Sequence, residues 1–213
     1  MTTPTVEDID KTLAQELHRC ERELEHAVYQ SAKHLAGTDR HLQAYVYMAR
    51  LAEYTIDEAK KAFFRLTGGQ ILEQGGEYAA AVVVYRKGLE CKTDDTETRY
   101  FLNNNLGYSL IQIGEHDEAE GYCREAIEID PARHNAYKNL GLVLRENGLY
   151  SEAANCFLTA SKIAPNDTRA ARLLEELIEA HPEIEPQMLV EIIEIAVKDK
   201  GKYILKGSSL MIH

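Results

Sequence analysis

The chain has 213 residues with a formal net charge of −11, four cysteines, five prolines and no tryptophan. An acidic protein is a poor nonspecific nucleic-acid binder, because such binding rests on lysine and arginine that neutralise phosphates. No stretch approaches the roughly 18 consecutive apolar residues of a membrane span, and the N-terminus shows no secretory signal pattern. We expect a mostly helical, cytoplasmic protein that neither spans a membrane nor binds nucleic acid.

Residues 1–56 predict two helices. Thr5 is a candidate N-cap followed by acids, and an apolar pattern continues to about Leu35, with Gly37 as the stop. The roughly heptad spacing in this long segment fits a short coiled coil, but we favour a helix packed along its neighbours. A second helix is expected over residues 39–54. Residues 55–58 then form a capping box, with Thr55 as the cap, for the next helix.

Residues 100–167 show one pattern twice, with every matched position displaced by 34 residues. Each copy opens with a Leu-Gly pair inside an apolar helical face, where glycine costs about 1 kcal/mol relative to alanine. This cost is explained if a second helix, rich in small residues, packs closely against each glycine. Proline then ends each unit. The matched positions are Leu106, Gly107, Ala119, Cys123, Ala126 and Pro131 in the first copy, and Leu140, Gly141, Ala153, Phe157, Ala160 and Pro165 in the second.

Residues 62–95 form a less faithful third copy. Gly69 and Tyr85 stand 38 residues before Gly107 and Cys123, and no proline closes the unit. A competing frame interprets the segment from Asp57 as the second helix of an earlier repeat. The sequence leaves both frames open.

Residues 168–200 predict a helical cap, and residues 201–213 a tail without helical period. The first cap helix starts after Asp167 and reaches about Ala180, with Glu175 at the position that glycine occupies in the repeats. Pro186 opens a last helix over residues 187–198. A terminal unit is expected to be atypical, since one of its faces meets water.

The sequence offers few features of an enzyme or a metal site. The four cysteines are scattered without zinc-ligand spacing, and Cys123 is expected in the core of a protein from a reducing compartment. His18, His26 and His34 recur every eight residues, which separates neighbours by about 12 Å along a helix. No nucleophile motif is present. We therefore predict no catalysis, no metal and no cofactor.

The 34-residue period with Leu-Gly, alanine and proline at these offsets resembles the tetratricopeptide repeat. The resemblance implies an all-α, right-handed α-α superhelix with extra N-terminal helices and a C-terminal capping helix. An array over residues 57–167 would hold about three repeats, at 62–95, 100–133 and 134–167. It also implies a non-catalytic module whose first helices line a groove that receives a peptide or a partner protein.

The resemblance also indicates which side chains line that groove. Asn105 and Asn139 can each donate to and accept from a peptide backbone unit, and Lys138 is one of four cations suited to an acidic segment. The competing interpretation is that these cations make local ion pairs with neighbouring glutamates. The groove positions are Phe101, Asn104, Asn105, Tyr108, Gln112, Asn135, Lys138, Asn139, Leu142, Arg145, Arg169 and Arg172.

The identity of the partner stays open. The subclass that binds C-terminal carboxylates is matched only in part, because Leu66 and Gln70 replace its lysine and asparagine. An amphipathic helix fits the mixed polar and apolar positions equally well. Two alternatives to a peptide-binding module are a secretion or assembly chaperone and a structural subunit that forms homo-oligomers through the first helix or the tail.

Overall fold

The computed structural model describes residues 6–182 and 184. Within these residues the protein has nine α-helices and no β-strand. The expected last helix over residues 187–198 and the tail lie outside the described residues. The helices are α1 (Val6–Ala36), α2 (His41–Tyr54), α3 (Glu58–Gln74), α4 (Tyr78–Leu89), α5 (Thr96–Gln112), α6 (His116–Ile129), α7 (His134–Glu146), α8 (Tyr150–Ile163) and α9 (Thr168–Ala180).

The chain divides into two compact units, residues 1–94 and residues 95–213. In the first unit each of α1, α2 and α3 packs against the next helix in the chain. Its core contains small and aliphatic residues from α1 and α2 with larger ones from α3. The buried core residues are Ala32, Ala44, Met48, Ala52, Phe64 and Ile71.

Helix α1 extends well beyond the helix it packs on. It has 31 residues, against 14 in α2, and every described side chain from Lys11 to Leu24 is exposed. Glu25, the next residue, forms a 2.8 Å ion pair with Lys60 of α3. The packed part of α1 therefore lies in its C-terminal half.

Three helices begin at an aspartate whose carboxylate accepts backbone N–H groups, the usual role of an N-cap. Asp57 accepts from Ala59 and Lys60 at 2.9 and 3.1 Å. The prediction that Thr55 caps α3 is therefore wrong, because its hydroxyl instead accepts from the backbone N–H of Asp57 in the preceding turn. Asp95 and Asp167 cap α5 and α9.

The glycines of the repeated pattern lie where two helices approach closely, as the sequence predicts. A Cβ added to Gly107 would lie 2.7 Å from Cys123 Sγ, and one added to Gly141 would lie 2.5 Å from a ring carbon of Phe157. The corresponding distance from Gly69 to the ring of Tyr85 is 2.2 Å. The third copy thus shows the same close contact between α3 and α4.

The second unit alternates first and second helices of hairpins. The hairpins are α5 with α6 and α7 with α8, followed by α9, and α5 also contacts α7 directly. Its core includes Cys123 and Phe157, both fully buried, as expected for the core position that they share. Because sequential hairpins stack in this way, their first helices α5 and α7 lie side by side.

Candidate functional site

The candidate site is the surface formed by α5, α7 and α9 in the second unit, here called the first-helix surface. Five of the twelve predicted positions lie on α5, five on α7 and two on α9. Direct contact between α5 and α7 brings together side chains that are about 35 residues apart in sequence, a spacing set by the repeat.

A ladder of asparagine side chains joins α5 to α7. The side-chain N–H group of Asn139 donates to the backbone oxygen and the side-chain oxygen of Asn104, at 3.3 and 3.1 Å. Asn104 in turn donates to Asn105 at 2.9 Å. Asn104 and Asn139 are both buried. Asn139 thus holds two repeats together, and the half-buried Asn105 is the ladder residue nearest to solvent.

One acceptor in this ladder has no donor. The side-chain oxygen of Asn139 is buried and finds no hydrogen-bond partner among the described residues. Leaving a buried polar atom unpaired costs about 1 to 3 kcal/mol. The α5–α7 contact therefore includes an acceptor without a hydrogen-bond partner in the described part of the chain.

Phe101 at the start of the surface is covered by an internal cation. The guanidinium carbon of Arg133 lies 4.9 Å from the centre of the Phe101 ring and 5.0 Å from that of Tyr100. Arg133 also pairs with Asp130 at 2.7 Å and with Glu97 at 3.2 Å. This cluster fixes the turn between α6 and α7, and it occupies one face of Phe101.

Lys138 is the most unusual cation of the surface. It is half-buried, and burial lowers the pKa of its ammonium, an effect that the nearby charge of Arg169 increases. No carboxylate among the described residues forms an ion pair with it. Arg172 on α9 is exposed and likewise has no ion-pair partner in the part of the chain that the structure describes.

The other two cations are paired within the chain. Arg145 contacts Glu146 at 3.1 Å, as the interpretation of local ion pairs expects. Arg169 contacts Asp167 at 2.5 Å rather than Glu175 or Glu176 of α9. The four predicted cations therefore separate into two that are paired, Arg145 and Arg169, and two that are not, Lys138 and Arg172.

Asp167 is a member of the site that sequence reasoning treated only as a helix cap. Its carboxylate accepts from the side chain of Arg169 and lies 2.9 Å from His134 Nε2. The bond from Arg169 holds the pKa of Asp167 well below its usual range. The available signal was an aspartate two residues before an arginine at a helix start.

The remaining predicted positions complete the surface. Tyr108, Asn135 and Leu142 are half-buried, and Gln112 is exposed at the end of α5. Within the described residues, no group of three or more His, Cys, Asp or Glu side chains is placed to share a metal ion. No helix among these residues has the length and apolar character needed to cross a membrane.

Comparison with known proteins identifies the class. A tetratricopeptide repeat profile matches residues 110–183. The small glutamine-rich tetratricopeptide repeat-containing protein 2 of Mycosarcoma maydis is 31% identical over 111 residues, which are 52% of this chain and 30% of that protein. The photosystem I assembly protein Ycf3 of Rippkaea orientalis is 27% identical over 124 residues, covering 52% of this chain and 71% of the relative.

Solved structures agree on the fold. MamA from Desulfovibrio magneticus superposes with a TM-score of 0.64 at 16% identity, over 83% of this chain and 97% of that one. The first tetratricopeptide domain of Spaghetti (RPAP3), bound to the HSP90 peptide SRMEEVD, gives a TM-score of 0.52 at 21% identity, over 57% and 95%. At these identities the likeness concerns the fold alone.

Residues 110–183 of the chain therefore contain tetratricopeptide repeats. The predicted fold class, an all-α superhelix of the tetratricopeptide type, is confirmed. The boundaries predicted for the individual repeats stay predictions.

Proposed function

We propose that the protein is a non-catalytic interaction module that binds an acidic peptide segment of a partner protein on the first-helix surface. The observation that carries the proposal is Lys138, a half-buried ammonium that has no carboxylate of the described residues within ion-pair distance. Burying a cation costs free energy unless an anion compensates it. A ligand carboxylate at Lys138 would supply that compensation.

Two further features support an acidic ligand. The guanidinium of Arg172 is a second cation without an ion-pair partner among the described residues, in a protein of net negative charge. Positive charge confined to one surface focuses the field there and speeds the encounter with anions. Asn105 lies at the edge of the same surface and can bond to a peptide backbone independently of its sequence.

The relatives support the class of ligand by analogy. The RPAP3 domain is bound to a peptide that carries three acidic side chains in SRMEEVD. That domain shares only 21% identity with this chain, so its ligand serves here as a probe of acidic-peptide binding. We include a cytoplasmic location in the proposal, since the four cysteines are free.

A second candidate function is that of an assembly chaperone. It is favoured by the relative named for photosystem I assembly, of which this chain covers 71%. An assembly chaperone would use the same surface, but its ligand would be a folding intermediate or an unassembled subunit. Capture of an unassembled subunit rather than of the mature complex would distinguish it from an adaptor.

The test is fluorescence anisotropy of the full chain with labelled SRMEEVD peptide. An analogue without negative charge, in which glutamines and asparagine replace the acids and the C-terminus is amidated, is called the neutral analogue here and measures the part of the binding that depends on the acidic groups of the peptide. We expect Lys138→Glu with Arg172→Glu to weaken binding of the acidic peptide at least about tenfold. The matched control, Arg22→Glu with Lys87→Glu, changes the net charge equally at exposed positions of α1 and α4.

Equal affinity of the wild type for the acidic and neutral peptides would contradict the proposal. The proposal would also be wrong if the control pair weakened binding as much as the pair on the first-helix surface, since binding would then follow net charge alone. Far-UV circular dichroism checks that all variants retain their helices.

A further inference from the structure

An internal carboxylate already occupies part of the basic surface. Asp167 Oδ1 lies 2.8 Å from Arg169 Nε, and Asp167 Oδ2 lies 2.5 Å from Arg169 Nη2. This is the two-pronged geometry in which arginine binds a carboxylate of any origin. The donors that Arg169 would offer to an acidic ligand are therefore engaged within the chain.

The position of Asp167 is fixed from two further directions. Its Oδ1 accepts the backbone N–H of Arg169 at 3.1 Å, as the N-cap of α9, and its Oδ2 contacts His134 Nε2 at 2.9 Å. Because the cap and the histidine hold the carboxylate from both sides, Asp167 stays beside Arg169 without loss of further side-chain freedom.

The charges around this carboxylate are positive. Lys138 interacts with both Arg169 and Asp167. Without the aspartate, two cations would face each other with no anion between them, which is a repulsive arrangement. Asp167 therefore does for Arg169 what a bound acidic ligand would do, and it offsets the charge of Lys138 only in part, from beyond ion-pair distance.

We propose that Asp167 is a specificity-determining residue that competes, as an internal carboxylate, with the acidic ligand for Arg169 and its surroundings. This inference rests on the proposed function, and it identifies Asp167 as the residue that restricts which acidic ligands bind. Only a ligand that offsets the loss of the Asp167–Arg169 pair engages Arg169. Weakly acidic segments are consequently confined to Lys138 and Arg172, and binding is selective for segments with several acids.

The test is the variant Asp167→Asn in the full chain, with labelled SRMEEVD and its neutral analogue as probes. Asparagine is nearly isosteric and caps helices as well as aspartate does, so the substitution removes the charge and keeps α9 capped. We expect the acidic peptide to bind about fivefold more tightly. The gain should shrink at high salt and be absent with the neutral analogue.

Asp95→Asn is the matched control, because Asp95 caps α5 in the same unit and changes the net charge equally. We expect it to leave the affinity of the wild type unchanged. Asp167→Ser, which also retains a capping oxygen, provides the same test with a second side chain if the asparagine variant folds poorly.

Each outcome decides the question. If the wild type binds the acidic peptide and Asp167→Asn binds it no more tightly than Asp95→Asn does, Asp167 is no competitor, and the proposed function stands alone. If binding of the acidic peptide appears only in Asp167→Asn, the competition is supported and the wild type excludes this ligand. If neither protein binds it, the proposed function is contradicted and the competition is overturned with it.

Discussion

Gly141 of α7 lies against the ring of Phe157 of α8, so closely that a Cβ on the glycine would be 2.5 Å from the ring. This contact explains why a helix interior retains glycine at this position. The same relationship holds between Gly107 and Cys123 at 2.7 Å. In each hairpin a glycine of the first helix thus packs against the second helix. The first helices of the hairpins also form the candidate site.

The first prediction concerns this contact. Gly141→Ala should lower the free energy of unfolding by about 1 to 3 kcal/mol, because the new methyl group overlaps the Phe157 ring. Gly121→Ala is the control, since α6 leaves open space around Gly121. That change should stabilise the protein by about 0.5 to 1 kcal/mol through the unfolded chain. Urea denaturation measures both, and equal effects of the two substitutions would contradict the assigned packing.

The asparagine ladder should contribute to the stability of the fold more than to ligand binding. Asn139→Ala should destabilise the protein by about 1 to 3 kcal/mol, since it leaves the buried polar groups of Asn104 without their partner. Asn155→Ala, at an exposed position of α8, should stay within about 0.5 kcal/mol of the wild type. A neutral result for Asn139→Ala in thermal or urea unfolding would show that the ladder does not join α5 to α7.

The cysteines should differ strongly in reactivity. Burial raises the pKa of the Cys123 thiol to about 12 and that of Cys156 to about 11, whereas Cys20 is exposed on α1. Because the thiolate is the reacting form, iodoacetamide near pH 8 should label Cys20 first and spare Cys123 until the protein unfolds. Peptide mass spectrometry follows each site. Labelling of Cys123 in the native protein at the rate of Cys20 would contradict its burial.

Lys138 should show opposite effects on stability and binding. Lys138→Met removes a half-buried cation whose pKa burial lowers and keeps the length of the side chain. We expect unfolding at an equal or higher urea concentration, together with affinity for the acidic peptide reduced about fivefold or more. Lys87→Met on the exposed face of α4 should change neither quantity. A destabilised Lys138→Met variant with unchanged affinity would indicate a structural role instead.

The sequence predicted the fold through residues that recur at the same position of each repeat. Gly107 and Gly141 indicated the close helix contacts because glycine is costly in a helix without such a contact. Cys123 was expected in the core because it shares a position with Phe157, and both are fully buried. Helix α2 ends at Tyr54, as the pattern of its apolar residues predicts.

The sequence could not predict which groove positions face the neighbouring repeat. Asn139 directly precedes the buried Leu140 and Asn104 stands two residues before the buried Leu106. Only the distance between α5 and α7 decides that the amides of Asn104 and Asn139 meet each other. Asp167 was recognised as a cap, but its contact with His134 joins residues 33 apart in sequence. Such contacts depend on how consecutive hairpins stack, and the spacing of residues along the sequence does not specify that stacking.

The central claim is that an acidic peptide binds on α5, α7 and α9 through Lys138. It is tested most directly by a titration of the isotope-labelled full chain with SRMEEVD, followed in 15N–1H correlation spectra. We predict that the largest shift changes fall at Asn105, Lys138, Arg172 and their neighbours on these helices, and that Lys138→Met needs about fivefold more peptide to reach the same changes. Shift changes concentrated on α4, α6 or α8, or unaltered by Lys138→Met, would contradict the claim.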